Sequence, residues 1–267
     1  MKNNVKYDFG VNWKNFSLNS LNDKGFKEAE ISLKNLVGEK NLKKKSFLDI
    51  GCGSGIFSLA AKKIGAKKVF GFDISQNSIE AAHFNKEKFA KNDYVNFFQQ
   101  SILDINYKKF GLFDVVYSWG VLHHTGNMYK ALDNSSELVN VNGLYVIAIY
   151  NKNWSSPIWK LIKYFYNISP YFIQKIMIFL FYWIIAISKL LITGKNPFIK
   201  KKRGMSFYFD VIDWVGGYPY EYASNVEIKN YIERKGFRLT KYIKPKVPTG
   251  CNEFVFRKLG KIGQQND

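Results

Sequence analysis

The sequence predicts an α/β fold, a mostly parallel sheet with helices on both faces, and three observations carry that prediction. First, Phe47-Leu48-Asp49-Ile50 is an apolar run ending beside a carboxylate, and glycines alternate after it at Gly51, Gly53 and Gly55. Ile56 to Ala61 then reads as a helix, which makes the unit a strand, a tight turn and a helix. Second, Val69-Phe70-Gly71-Phe72-Asp73 reads as another strand and closes on a second carboxylate. Third, strand-like apolar runs go on alternating with helix-periodic stretches along the chain, as in sheets wound through crossover helices.

Two details of the turn separate it from a dinucleotide fingerprint. Its spacing is G-x-G-x-G, with Ile56 where G-x-G-x-x-G places its last glycine. Asp49 would repel a pyrophosphate but suits a cationic ammonium or sulfonium. Asp73, about 20 positions past the turn, can accept both ribose hydroxyls of an adenosine. The combination of Asp49, the glycines and Asp73 resembles the nucleotide-binding half of the class I S-adenosylmethionine-dependent methyltransferases. That resemblance implies a Rossmann-like seven-stranded sheet in the order 3-2-1-4-5-7-6, its last strand antiparallel, with S-adenosyl-L-methionine as cofactor. Carried onto this sequence, the cofactor contacts fall on Asp49, Gly51, Gly53, Gly55, Asp73, Ile74, Ser101, Ile102 and Ser118.

Taken in order, the chain begins with an aromatic arm, Tyr7 to Phe16. In many class I methyltransferases such an arm covers the cofactor; packing of Trp13 and Phe16 on the domain surface is the alternative. Phe26, Ala29, Leu33, Leu36 and Val37 follow at helical spacing. Ser75 reads as the N-cap of a helix over 76–91, and Tyr94 to Phe98 as a short strand. Ser101 falls where the resemblance places the adenine contact, a position at which many relatives carry Asp. Leu112 to Ser118 reads as the fourth strand. Trp119 to Gly126 lies after its carboxyl end, where open parallel sheets bind ligands. His123 and His124 are adjacent there, and either is a candidate general base. The Asn/Asp-Pro-Pro-aromatic motif of base-amine methylation is missing from this loop, which argues against adenine or cytosine as acceptor. A helix over 127–139 and a strand over 143–150 complete the fifth unit. Ser224-x-x-Glu227 is a capping box opening a helix to about Lys235, and strands follow at 237–243 and 253–257.

Composition bounds the function. The 267 residues suit one domain, 1–267, with room for an insertion, and 46% are hydrophobic. The formal charge is +19, but only four of the 40 basic residues are arginines. Base-edge and bidentate phosphate recognition favours Arg, so the diffuse lysines point to an anionic surface and argue against nucleic acid as partner. Cys52 and Cys251 suggest neither a disulfide framework nor a metal site. The N-terminus has no apolar secretory run, so a cytoplasmic location is expected, with peripheral attachment to the inner face of the membrane.

Residues 152–223 form an insertion far longer than a normal connection. Ile158 to Tyr166 is apolar, Ser169-Pro170 breaks it, and Ile176 to Ser188 carries no charge. That uncharged run falls short of the ~20 residues a span needs, and one crossing would separate the last two strands from their sheet. Two readings remain for 158–192. One is a hairpin in the interface of an anionic membrane, with Trp and Tyr at headgroup level; the other is a lid on the domain or on a second subunit. The first is favoured, because so large an apolar surface is rarely left exposed. Arg203 to Tyr220 is dense in aromatics and carboxylates. With His123-His124-Thr125-Gly126 and Gly250 to Phe256 it resembles a bacterial group within the methyltransferases. It supplies the walls and fixed polar groups a pocket needs, so Trp119, Arg203, Trp214, Tyr218 and Tyr220 are candidate acceptor-binding residues, and Asp210 and Asp213 are alternative bases.

The expectation is therefore methyl transfer to a small-molecule or lipid-like acceptor at oxygen, with ubiquinone-type O-methyltransferases as the named analogy. No metal is implied. Two rivals are an RNA or protein methyltransferase and a non-catalytic S-adenosylmethionine-binding protein at the membrane. Neither acceptor identity nor oligomeric state can be read from the sequence.

Overall fold

The computed structural model describes residues 6–91, 94–106, 110–194, 196–198 and 207–260. Among them, β1 (Ser46–Ile50), β2 (Lys68–Asp73), β3 (Val95–Gln99), β4 (Phe113–Trp119), β5 (Val139–Tyr150), β6 (Phe237–Ile243) and β7 (Cys251–Lys258) form one sheet. Its order is β3-β2-β1-β4-β5-β7-β6. The first five strands run parallel to one another, and β7 runs antiparallel between β5 and β6. Order and sense are those expected.

Successive residues of a strand face opposite sides of a sheet, and both sides here are apolar. Phe47, Val115 and Val146 face one core with Leu33 and Leu36 of α2 (Asp23–Val37) and Leu59 and Ala60 of α3 (Ile56–Ile64). The next residue along each strand, Leu48, Val116 and Ile147, faces a second core. There Leu132 of α5 (Met128–Glu137) and Ile228 and Ile232 of α9 (Asn225–Glu233) pack. The two cores hold the carboxyl ends of β1, β2 and β4 at one edge, the edge that carries the site.

Local signals explain most boundaries. The capping box of α9 is formed: Ser224 N donates to Glu227 Oε2 (2.7 Å) and Glu227 N to Ser224 Oγ (3.2 Å). Ser75 does precede α4 (Gln76–Phe89), but its hydroxyl does not cap the helix; its N–H instead donates to Asp73 Oδ1 (2.9 Å). β5 starts at Val139, ahead of the expected Gly143, through an irregular register opposite Phe113 and Val115. Gly143 is needed there, since a Cβ would lie 2.9 Å from the Asp114 carbonyl.

The arm and the aromatic stretch of the insertion are both helices. The arm forms α1 (Phe9–Asn19), whose N-cap Asp8 accepts from Gly10 N (2.9 Å). The aromatic stretch at 207–216 forms α8 (Phe207–Gly216). Between β5 and α8 lie α6 (Ser156–Ile168) and α7 (Tyr171–Thr193), separated at Ser169-Pro170 as expected. The apolar helix is longer than its uncharged run: Tyr171–Ile192 is 22 residues with a mean hydropathy of 2.0, enough by length and composition to cross a bilayer. Because β6 and β7 complete the same sheet as β5, the chain nevertheless enters and leaves the insertion on one side.

Candidate active site at the carboxyl edge of the sheet

The glycine turn is held by its backbone. Gly51, Gly53 and Gly55 have φ of +69°, +52° and +71°, values that L side chains rarely adopt. A Cβ on Gly51 would meet Val121 at 2.3 Å, and one on Gly55 the Phe97 ring at 2.7 Å. Gly51 N and Cys52 N donate to the Phe72 carbonyl (2.8 and 2.9 Å), and Gly53 N donates to Asp73 Oδ2 (3.0 Å). Asp73 thus ties the turn to the start of α4.

Both carboxylates expected at this edge are there. Asp49 is 3% exposed and its Oδ2 accepts from Ser58 Oγ (2.7 Å). Burial raises the pKa of Asp73. The Cys52 thiol in the same turn is pushed well above its ordinary range by burial and then by the charges of Asp49 and Asp73. The turn is therefore a region of negative potential, which fits a cationic sulfonium and disfavours a phosphate. Ile74, next to Asp73, leaves 60% of its surface open at this edge, where it can cover an apolar ring face.

The other expected contacts are more committed. Ser101 Oγ accepts from Leu103 N (3.1 Å), and the Ile102 carbonyl accepts from Asn134 Nδ2 (2.8 Å). Ser118 is buried and its hydroxyl donates to the Ile50 carbonyl (3.1 Å), joining β4 to β1. Over the turn lies α1: the Trp13 indole is 3.3 Å from where a Gly53 Cβ would stand, while Phe16 is in the core. The arm lies over the turn, and Trp13 also packs against the core that holds Phe16.

Beyond the end of β4 a second cluster gathers. The His124 ring makes a 2.6 Å contact from Nδ1 to the Pro219 carbonyl. A carbonyl only accepts, so Nδ1 carries the proton and Nε2 the lone pair. Burial first, then the Lys163 charge, lowers the His124 pKa to about 3. His123 is fully enclosed against Tyr150 (ring centroids 4.1 Å) and His124 (4.5 Å), and burial holds it well below the histidine range. Both imidazoles are neutral at pH 7.

The charge in this cluster belongs to Asp213 and Lys163. Asp213 Oδ1 accepts from Asn12 Nδ2 (2.8 Å), and the Tyr7 hydroxyl also bonds this carboxyl. Burial raises Asp213 to about 7, against the opposing pull of Asn12 and Lys163. Lys163, with no exposed surface, donates to the Trp214 carbonyl and lies over the rings of Trp214 (4.3 Å) and Tyr220 (4.9 Å). Burial lowers it to about 7, and cation–π contact compensates part of that cost. Two groups that ordinarily titrate far apart are thus both poised near neutrality.

Of the candidate acceptor residues, Trp214 and Tyr220 line this cluster, and Tyr218 sits at its rim against Tyr164 (5.7 Å). Trp119, at the end of β4, packs partly into the core. Asp210 is half-buried on α8, one turn before Asp213. Arg203 lies outside the described residues. Sequence reasoning missed Tyr7, Asn12, Tyr150 and Lys163. Lys163 reads as one more lysine of an apolar helix, and only its phase, with Trp159 and Tyr166 and opposite Leu161 and Phe165, hints that it faces inward.

Known proteins share the family model and the fold. A family model described as methyltransferase domain matches residues 25–179, more than half of the chain. A ubiquinone biosynthesis O-methyltransferase of Pelagibacter ubique (strain HTCC1062) is 31% identical over 174 residues, 63% of this chain and 68% of that protein. One of Coxiella burnetii (strain Dugway 5J108-111) is 29% identical over 142 residues, 52% of this chain and 59% of that protein. The chain thus spans about two thirds of the first and less of the second. Among solved structures, magnesium protoporphyrin IX methyltransferase from Synechocystis PCC 6803 with bound SAH aligns with a TM-score of 0.53 and 16% identity. The alignment covers 88% of this chain and 84% of that one.

Proposed function

The chain belongs to the class I S-adenosylmethionine-dependent methyltransferases, and from that premise we propose that it methylates an oxygen of a lipid-like acceptor. S-adenosylmethionine when bound supplies a methyl group already activated by its sulfonium. The residues of the chain have three tasks: to align the two partners, to exclude water, and to hold the proton a hydroxyl acceptor gives up.

Cofactor binding is assigned to the glycine turn and the strand ends around it. Asp73 accepts the ribose hydroxyls, exchanging part of its hold on Gly53 N. Ile74 covers one adenine face, and Ser101 and Ile102 meet the adenine edge through their backbone. Asp49, Gly51, Gly53, Gly55 and the backbone of Ser118 shape the negatively polarised floor, and Trp13 closes over it.

The acceptor is assigned to the cluster beyond β4, walled by Trp119, Trp214, Tyr218 and Tyr220. The observation that carries the reading is the Asp213 carboxyl poised at about 7 among buried aromatics, since a general base works best with a pKa near the working pH. His124, neutral with its Nε2 lone pair free of the Pro219 bond, orients the acceptor hydroxyl, and His123 backs it. Asp213 takes the proton, and Lys163 steadies the resulting charge distribution. The two relatives named as ubiquinone biosynthesis O-methyltransferases support oxygen as the acceptor atom.

The test is incubation of the purified protein with methyl-labelled cofactor and separated lipid, soluble-metabolite and RNA extracts. Label in a lipid product, stable to base hydrolysis as an ether is, is the expected outcome. Label in RNA or protein would replace this reading, and cofactor binding without label in any fraction would favour a binding protein.

A further inference from the structure

We infer that the α6–α7 hairpin docks the protein onto an anionic phospholipid bilayer, lying in the headgroup layer without crossing. The first observation is that α6 is inverted. Ile158, Leu161, Phe165 and Ile168 are each at least half exposed, while Lys163 is fully buried on the opposite face. A helix facing water places its charges outward and its apolar stripe inward.

α7 extends the same surface. Phe181, Tyr182 and Ile185 pack inward with α8 residues Phe207, Val211 and Val215. Ile176, Phe179, Trp183, Ile184 and Ile187 recur outward at helical spacing, 49–65% exposed. A helix apolar on both faces belongs in a protein core or in lipid, and among the described residues only one face has protein against it. The outward rows of the two helices make a contiguous patch of a kind soluble monomers rarely leave open.

Charge selects the occupant. From Leu138 to Phe209 the sequence has no acidic residue, while Lys152, Lys160, Lys175 and Lys189 fall in or next to the two helices and the run Lys200-Lys201-Lys202-Arg203 follows them in the sequence. On a chain of net charge +19, a second copy would bring the same cationic border to the same patch and be repelled. An anionic headgroup layer is attracted by the lysines and accepts the apolar face below them. The sheet fixes the orientation, because its last two strands pair beside β5 and the hairpin must return to the side it left. Trp159 and Lys163, on the inner face of α6, reach Trp214 (5.3 and 4.3 Å). The bilayer would then lie about one helix diameter, ~10 Å, from the acceptor-side cluster.

The experiment is co-sedimentation of the full chain with phosphatidylcholine vesicles with and without 30% phosphatidylglycerol (roughly the anionic content of a bacterial membrane). It needs neither cofactor nor acceptor, so its failure is distinct from failure of the methyl-transfer reading. The expected result is binding to the anionic vesicles at least tenfold stronger than to the neutral ones, weakened but not abolished by 0.5 M salt, and extraction by alkaline carbonate. Ile176→Ser/Phe179→Ser/Trp183→Ser should lower the bound fraction more than tenfold at an unchanged melting temperature. If that variant does not fold, Phe179→Asp alone should lower it at least fivefold. A wild type left in the supernatant, variants that bind as well as the wild type, a dimer that ignores vesicles, or resistance to carbonate would each overturn the inference.

Discussion

The two halves of the site are built by different means. The cofactor half is backbone: one short turn, with N–H groups of Gly51, Cys52 and Gly53 aimed at the end of β2. The acceptor half is side chain: Tyr7, Asn12, His124, Tyr150, Lys163, Asp213 and Tyr220 arrive from five separate segments. The Asn12–Asp213 bond alone spans 201 positions. A backbone site serves one ligand shape whatever surrounds it, whereas a side-chain site changes its ligand with each substitution. The first half suits a fixed cofactor and the second a particular acceptor.

The sharpest way to break this division is to strike each half and look for damage in the other. Gly53→Val places a branched side chain at φ +52° and under Trp13. It should remove measurable cofactor binding by calorimetry while the acceptor-side cluster still forms, as judged by an unchanged near-ultraviolet signal from its aromatics. Asp213→Asn should do the reverse. Turnover should fall by about two to four orders of magnitude, the usual scale of a lost general base, at a cofactor affinity within twofold of wild type. If affinity falls with it, the two halves are one unit.

A smaller effect is expected from Asp73→Ala. Loss of a charged acceptor for the ribose should weaken cofactor binding by about 1.5–3 kcal/mol, measured by titration, without moving the pH optimum. The pH profile itself sharpens the comparison. With its carboxyl at about 7, Asp213 should make turnover rise with pH up to about 7 and level off above. A neutral His124 contributes no limb near its usual value, because its own lies at about 3. His124→Gln should therefore slow the reaction and leave the limb in place, whereas Asp213→Asn should flatten it.

A last effect concerns stability in place of turnover or affinity. Lys163 is lowered by burial to about 7, so between pH 7 and about 10.4 the unfolded chain binds the extra proton. Stability must then rise with pH across that window, by up to about 1.4 kcal/mol per unit from this group. Asp213, raised from the ordinary carboxyl range, acts in a lower window: it makes stability fall as pH rises from about 4 to 7. Melting curves of Lys163→Met should lose the upper slope and keep the lower one.

The same division explains what could be read beforehand. The glycine turn, Asp49 and Asp73 are legible because backbone geometry forces local residue choices: glycine at positive φ, a carboxylate at a strand end; the strand order came only with the family that these residues resemble. The break at Ser169-Pro170 and the capping box of α9 are legible for the same reason. Lys163, Tyr7 and Asn12 were not, since nothing near them in the chain reports what they will touch. α8 was hidden because its aromatics and carboxylates suit a loop as well as a helix, and the choice is settled by contact with α7 and the arm. The hairpin was legible as an apolar insertion, but only the fold tells Phe181, which turns toward Trp159 (5.6 Å), from Phe179, which turns outward.

The arm has a bearing on time. Asp8 and Lys14 pin α1 to α4 through Asn77 (3.1 Å) and Glu80 (2.6 Å), and Asn12 pins it to α8 through the Phe209 carbonyl (3.0 Å) and Asp213. Each clasp is weak alone, an exposed ion pair or a single hydrogen bond of about 1 kcal/mol or less, but they must open together before Trp13 can clear Gly53. A strap fastened on both flanks turns the spent ligand's departure into a peeling event. A strap of this kind couples ligand exchange to the opening of contacts on two helices, separately from the bond being made.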